Sequence, residues 1–296
     1  MEKEERVVRS RSDILDTVKT ALFIIGVSSL AVALIVLLKF RLDDSRTRRI
    51  TEELMQRSGI EHAESQQGVG TPYTPADAQP TGGTVEEVPP AEMLPEYASL
   101  YAENPELAGW LWIEGTKIDY PVMQSPERPW YYIHRDFYGK DNSNGSLFAD
   151  EACVIGSGTA AKAYADGTHP GANVMIYGHR MGNGEMFGTL GKWRDQNYAR
   201  EHSIICFDSL YEHRKYQVMA VFISRIYNSD EDAFKYYQFF VADSEREFNE
   251  FYESVKALSF FDFGVEASYG DEFITLSTCD YWTDDGRLVV VGKRIE

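Results

Sequence analysis

A cysteine and an arginine face each other across a short turn near the C-terminus. The stretch Asp271–Arg294 reads DEFITLSTCDYWTDDGRLVVVGKR, in which two strand-like runs flank a polar turn. Cys279 ends the first run and Arg287 opens the second, so a hairpin places them on adjacent strands. A thiol with its usual pKa of about 8.5 needs a nearby base or positive charge to act as a nucleophile at neutral pH. Arg287 can supply that charge and donate hydrogen bonds to an oxyanion. The alternative is a purely structural role, with Cys279 buried and Arg287 paired with Asp284 or Asp285 at the surface.

A histidine is the expected base for such a thiol. The chain has six: His62, His134, His169, His179, His202 and His213. His179 closes the apolar run NVMIYGH just before the glycine-rich loop RMGNGEMFG, where a strand end exposes a reactive side chain. His134 follows the aromatic run WYYI and is expected to be packed or on the substrate side, while His202 and His213 flank strand runs at the surface.

The other two cysteines are expected to be structural. Cys153 and Cys206 are predicted to be buried small apolar residues, and Cys206 lies in the core-strand pattern SIICF. Three cysteines in all are too few for a disulfide-stapled domain, and the odd count leaves at least one free thiol or an intermolecular bridge.

The elements that position these residues are mainly strands. Short alternating or apolar runs separated by turn residues predict seven or eight strands: LWIEG, TKIDYPVM, GSLFAD, ANVMIYGH, SIICFD, RKYQVMAVFISRIY and the two runs above. With short helices in the loops, this order favours a mixed barrel or a sandwich. Asn104-Pro105 is interpreted as the start of a short helix, and GEMFGTLGKWRDQNYAR as helical after its first glycines.

The clearest amphipathic helix is Ser244–Leu258. Ser244 followed by Glu247 indicates a capping box at its start. Aromatic and apolar residues recur at helical spacing and predict one buried face: Phe248, Phe251, Tyr252 and Val255. We interpret this face as core packing and not as a cofactor site.

The N-terminal part of the chain contains a candidate membrane anchor. Residues Thr20–Leu38 form 19 uncharged, mostly apolar residues, which is long enough to span a bilayer as a helix. A cleavable signal peptide is the alternative, although no small-residue cleavage site closes the run cleanly. Five Lys or Arg residues precede it and five follow by Arg49, so charge alone hardly decides its orientation.

Charge and composition separate the rest of the chain into a linker and a body. Residues 58–90 are rich in Gly, Pro, Thr, Gln and Glu and predict a flexible linker. The net charge is −18, and beyond residue 49 the chain carries 19 Lys or Arg against 40 Asp or Glu. Such an acidic body argues against nucleic-acid binding. The sequence shows no metal-ligand cluster and no glycine-rich phosphate loop after a strand, so we expect neither a metal nor a nucleotide.

Taken together, the motifs resemble those of a sortase, a membrane-anchored cysteine transpeptidase of Gram-positive bacteria. The resemblance rests on YGH at 177–179, TLSTC at 275–279 and Arg287 opening the last strand, and it covers 91–296. The segments NPELAGWLWIEGTKIDYPVMQ and YYIHRDFYGKDNSNGSLFAD, with the helix before the cysteine strand, resemble class B of the family. One departure is His134-Arg135, where family members often have Asn-His.

The resemblance implies a closed eight-stranded β-barrel with an N-terminal helical extension. It assigns Cys279 as nucleophile, His179 as general acid and base, and Arg287 as the group that stabilises substrate and oxyanion. It also places Ser277, Thr278 and Tyr177 among the substrate-binding residues. No cofactor is implied.

The resemblance also implies partners, a location and a division of the chain. The partners are secreted proteins with a C-terminal sorting signal, cleaved after Thr, and a peptidoglycan-precursor or pilin amine as acceptor. The predicted organisation is a cytoplasmic segment 1–19, an anchor 20–38, a juxtamembrane segment and linker 39–90, and an extracellular catalytic domain 91–296.

Three other functions compete with this one. A surface cysteine protease would resolve the same thioacyl intermediate with water. A cell-wall L,D-transpeptidase also uses Cys and His, but its signature places an arginine about two residues after the cysteine. A non-enzymatic membrane-anchored binding domain would leave Cys279 unreactive.

Overall fold

The computed structural model describes residues 2–59, 92–155, 173–280 and 286–296. For residues 2–15, 279 and 280 the description covers the backbone alone. The chain divides into two compact units, the first up to Arg48 and the second Arg49–Glu296. The predicted linker 58–90, apart from its first two residues, lies outside the described residues, and so do His62 and His169.

Helix α1, Glu2–Ser58, contains the candidate membrane anchor. Within the described residues it is the one helix that is long and apolar enough to cross a membrane. Large apolar side chains of the predicted span are exposed along it, including Phe23 and Ile35. Exposed apolar surface of this length is unfavourable in water and suits the interior of a bilayer.

The second unit is built around a closed barrel of eight strands, which confirms the predicted fold class. The strands are β1 Leu107–Trp112, β2 Asp119–Met123, β3 Leu147–Ala149, β4 Asn173–Tyr177, β5 Ile204–Ser209, β6 His213–Arg225, β7 Phe273–Asp280 and β8 Gly286–Arg294. They close in the order β1-β2-β3-β4-β7-β8-β6-β5. The pairs β2/β3 and β4/β7 are parallel, and the other pairs are antiparallel.

Short helices lie in the connections between strands. They are α2 Pro95–Glu103, α3 Gln196–Glu201 and α4 Glu245–Leu258, with 3-10 helices at Tyr131–His134, Leu190–Arg194 and Tyr236–Gln238. The predicted helix over GEMFGTLGKWRDQNYAR is therefore split into a 3-10 turn and α3, because Asp195 caps α3 by accepting from Tyr198 N. The predicted helix start at Asn104-Pro105 is wrong, since Asn104 ends α2 and β1 follows.

Helix α4 has the predicted cap and buried face. The Ser244 hydroxyl accepts a hydrogen bond from Glu247 N, and the Glu247 carboxylate accepts from Asp243 N. All four predicted core residues are buried. Phe251 stacks on Phe239 with ring centroids 4.1 Å apart, which joins the helix to the loop that precedes it. The helix thereby holds the β6–α4 connection in place.

The compact second unit begins inside α1, within the segment predicted to be juxtamembrane. Leu54 is fully buried and Ile50 nearly so, and both belong to the hydrophobic core of this unit. Arg57 donates to Glu103 of α2 over 2.6 Å. The final turns of α1 therefore belong to the packed body of the unit, while the predicted domain start at 91 stays a prediction.

Candidate active site

The strand register brings the predicted nucleophile and the predicted arginine together. Cys279 on β7 is directly opposite Arg287 on β8. Opposed residues of an antiparallel pair lie on the same face, with Cα atoms about 4.5–5.5 Å apart. On the other side of β7, Ser277 is paired with Tyr177 of parallel β4.

The same register brings His179 to the level of Cys279. His179 is two residues beyond Tyr177, and Cys279 is two beyond Ser277, along strands that run in the same direction. Cys279 and Arg287 therefore lie on β7 and β8, and His179 lies two residues beyond the end of neighbouring β4, at the same end of the barrel.

Gly178 of the YGH motif and Thr278 of the TLSTC motif connect the two segments that carry His179 and Cys279. A Cβ on Gly178 would lie 2.4 Å from Leu147 Cδ2 and 2.8 Å from Phe187 Cδ2, so a larger residue would force these buried side chains to shift. The Thr278 hydroxyl donates to the Gly178 carbonyl over 2.8 Å. Gly178 N in turn donates to the Ser277 carbonyl over 3.3 Å. These two bonds connect the residue before His179 to the two residues before Cys279.

His179 is held by the backbone of a different loop. Its Nε2 lies 2.7 Å from the Ile133 carbonyl, which can only accept, so Nε2 carries the proton and donates. In the neutral ring Nδ1 is then free to take up a proton. Burial lowers the pKa of His179, the bond to Ile133 raises it, and the charge of His134 lowers it further. The net lowering favours the neutral imidazole at rest.

Glu106 anchors the 3-10 helix that contacts His179, and it was missed by sequence reasoning. Its carboxylate accepts from Ser125, from Tyr132 at 2.7 Å and from Arg128 at 2.6 and 2.7 Å. Burial raises the pKa of Glu106, but the three donors outweigh it and the pKa is lowered. Glu106 is at least 19 residues from each of its partners, so no local motif could have indicated the cluster.

The three residues predicted to bind substrate are all engaged in hydrogen bonds within the protein. Thr278 bonds to Gly178 as described, and the Ser277 hydroxyl lies 2.8 Å from the Tyr236 hydroxyl. Tyr177 donates to Asp150 over 2.9 Å, and its ring packs against that of Trp130. Their role toward substrate stays a prediction.

The other two cysteines are buried, as predicted. Cys153 is 6% exposed and Cys206 is 7% exposed. Burial raises the pKa of each thiol to about 12. Neither thiol is a nucleophile near neutral pH. Among the described side chains, no group of three His, Cys, Asp or Glu residues is placed to hold a metal ion.

A model of the sortase domain family matches residues 111–295, and the chain therefore belongs to the sortase family. It is similar to sortase B of Listeria monocytogenes, with 31% identity over 210 residues that span 69% of this chain and 76% of the relative. A crystal structure of sortase B from Bacillus anthracis in complex with AAEK1 superposes with a TM-score of 0.62 at 26% identity, over 86% of this chain and 99% of that one. A Staphylococcus aureus sortase B–substrate complex superposes with a TM-score of 0.57 at 26% identity, over 69% and 86% of the two chains.

These similarities confirm the predicted class B resemblance and establish the type of enzyme. The protein is a cysteine transpeptidase of the sortase type. The readings as a cell-wall L,D-transpeptidase and as a non-enzymatic binding domain are thereby excluded.

Proposed function

We propose that Cys279, His179 and Arg287 catalyse transfer of a protein from its C-terminal sorting signal to an acceptor amine. The observation that carries this assignment is the register of β7, which pairs Cys279 with Arg287 and brings His179 alongside. The high pKa values of Cys153 and Cys206 support it, because they leave Cys279 as the reactive thiol.

In the first half-reaction, His179 Nδ1 takes the thiol proton of Cys279, and the thiolate attacks the carbonyl carbon of a threonine in the sorting signal. A C–S bond forms and the carbonyl electrons move to oxygen, where Arg287 donates hydrogen bonds. When this intermediate collapses, the C–N bond breaks and His179 gives its proton to the leaving amine. The products are a thioacyl enzyme and the released C-terminal peptide.

In the second half-reaction, an acceptor amine attacks the thioacyl carbon and gives a proton to His179. Collapse forms the new amide, releases the Cys279 thiolate, and the proton on His179 returns to it. Water in place of the amine gives hydrolysis, which is the protease alternative. The proposed acceptor is a peptidoglycan precursor or a pilin lysine, and the donor is a secreted protein.

We propose that the connection between β6 and α4 influences the choice of donor. The Tyr236 hydroxyl bonds to Ser277, two residues before Cys279 on the same strand. The carbonyls of Phe239 and Phe240 accept from the side chain and backbone of Asn173 on β4. The segment thus contacts β7 near Cys279 and β4 at its first residue, and the contact near Cys279 supports a role in recognition of the sorting signal.

We further propose that α1 anchors the enzyme in the membrane with the N-terminus in the cytoplasm and the catalytic unit outside. The exposed apolar stretch of α1 supports the anchor. The orientation follows from the proposed substrates, which are secreted.

Single substitutions test the catalytic assignment with donor peptides of the NPQTN and PxTG types and triglycine as the amine. We expect Cys279→Ala to abolish peptide cleavage and His179→Asn and Arg287→Lys to reduce it by about a hundredfold or more. Cys206→Ala is the matched control and should keep wild-type activity. Turnover by Cys279→Ala would overturn the proposal, and hydrolysis that triglycine never diverts would establish the protease alternative.

A further inference from the structure

Two consecutive residues of one 3-10 helix contact the His179 ring. The helix Tyr131–His134 provides the Ile133 carbonyl that accepts from Nε2. It also provides the ring of His134, which stacks on the ring of His179 with centroids 5.4 Å apart and planes 20° apart. The edge of the His179 imidazole is therefore fixed by a hydrogen bond and its face by a second imidazole.

The helix is rigidly connected to the body of the unit, so these contacts are fixed in space. The Tyr132 hydroxyl donates to the Glu106 carboxylate, and the Tyr132 carbonyl accepts from Ser146 N over 3.0 Å. The His134 carbonyl accepts from Asn142 N over 3.1 Å. The ring of His134 thus has the support needed to restrict rotation of the His179 ring.

The charges around His179 make His134 the group that acts on its protonation. Arg135 pairs with Asp141 at 2.9 Å, and Glu185 accepts from Tyr120 at 2.6 Å in the loop after His179. A further two cations flank the site, with Arg180 beside Gly191 and Arg287 donating to the Gly286 carbonyl on β8. Burial is the largest cause of the lowered pKa of His179. The charge of His134 lowers this pKa further.

We propose that His134 is a positioning residue that acts through His179. Its ring holds the imidazole in the orientation that directs Nδ1 toward the thiol, and its charge opposes protonation of His179. The inference rests on the proposed role of His179 and deepens it. It also gives a function to the histidine at which this chain departs from the Asn-His expected of the family.

The test is a pH titration of the full chain in detergent micelles, with the histidines labelled with carbon-13 and His179 assigned from His179→Asn. His134→Phe keeps a flat ring and removes the charge, while His134→Ala removes both. Two charges about 5 Å apart in a high-dielectric site shift a titration by about half a pH unit or more. We therefore expect the His179 midpoint to rise by at least that amount in His134→Phe, whereas the control His202→Phe leaves it unchanged.

Transfer kinetics with the NPQTN-type peptide and triglycine test the orientation. We expect kcat near pH 8 to fall about tenfold in His134→Ala and to be restored in His134→Phe, with KM unchanged. An unchanged His179 midpoint in His134→Phe would overturn the electrostatic part. Equal kcat in wild type and His134→Ala would overturn the positioning part, and full activity of His179→Asn would instead refute the proposed function.

Discussion

The hydrogen bond from Thr278 to Gly178 allows a test of whether Thr278 positions the catalytic strands or binds substrate directly. In Thr278→Val the side chain keeps its shape but loses the hydroxyl that joins β7 to the residue before His179. Thr278 is 2% exposed, so the Gly178 carbonyl loses a partner that water cannot easily replace. Losing the bond and leaving a buried acceptor unpaired costs about 2 kcal/mol.

That loss should appear both in stability and in turnover. For a unit of this size, about 2 kcal/mol corresponds to a fall in Tm of about 4–8 °C. Because the bond sets the spacing between the His179 and Cys279 strands, we expect kcat for peptide transfer to fall by about tenfold or more with KM nearly constant. Differential scanning calorimetry and steady-state kinetics on the same preparation measure the two effects.

Thr275 offers a matched control on the same strand. Its hydroxyl donates to the Asn173 side chain over 2.9 Å, and it is fully buried. Thr275→Val should cost a similar stability without a change in kcat, because this bond lies four residues before Cys279. A Thr278→Val enzyme with unchanged Tm and kcat but raised KM would refute the positioning argument and support direct substrate binding.

Two further predictions concern the support of the catalytic unit. Leu54→Ala should lower the unfolding free energy of the unit by about 2–5 kcal/mol, measured by urea denaturation, because Leu54 is fully buried. Glu52→Ala, at an exposed position, is the control. Equal stabilities of Leu54→Ala and Glu52→Ala would show that the end of α1 does not belong to the unit. Glu106→Gln should reduce kcat by loosening the helix that holds His179. Since the pKa of Glu106 is lowered, its stabilisation is present above the ordinary value of about 4.3 and is lost as pH falls through the folded value. Below about pH 4.3 the Tm of wild type should therefore fall more steeply than that of Glu106→Gln, and parallel curves would contradict this.

Local patterns predicted the parts of the molecule that depend on local interactions. The hairpin register of Cys279 and Arg287 follows from alternation around a short turn, and the structure has it. Helix α4 was predicted with its cap and its buried face, because both depend on residues three or four apart. The barrel itself was predicted from the family resemblance, since strand patterns alone left a sandwich open.

Long-range contacts explain what the sequence did not reveal. Ile133 and His179 are 46 residues apart, and a backbone acceptor leaves no trace in residue type. Asn104 is a residue type typical of helix starts, but its side-chain Nδ2 donates to Tyr132 and Phe137 and its Oδ1 accepts from Glu106 N, so it ends α2. Such tertiary bonds override local preference.

Intact mass spectrometry of the full chain, after incubation with the NPQTN and PxTG peptides, tests the central claim most directly. We expect a mass increase equal to the acyl fragment, located on Cys279 by peptide mapping and absent from Cys279→Ala. Addition of triglycine should remove the adduct and yield the amide product. An adduct on Cys153 or Cys206, or peptide cleavage that persists in Cys279→Ala, would show that Cys279 is not the nucleophile.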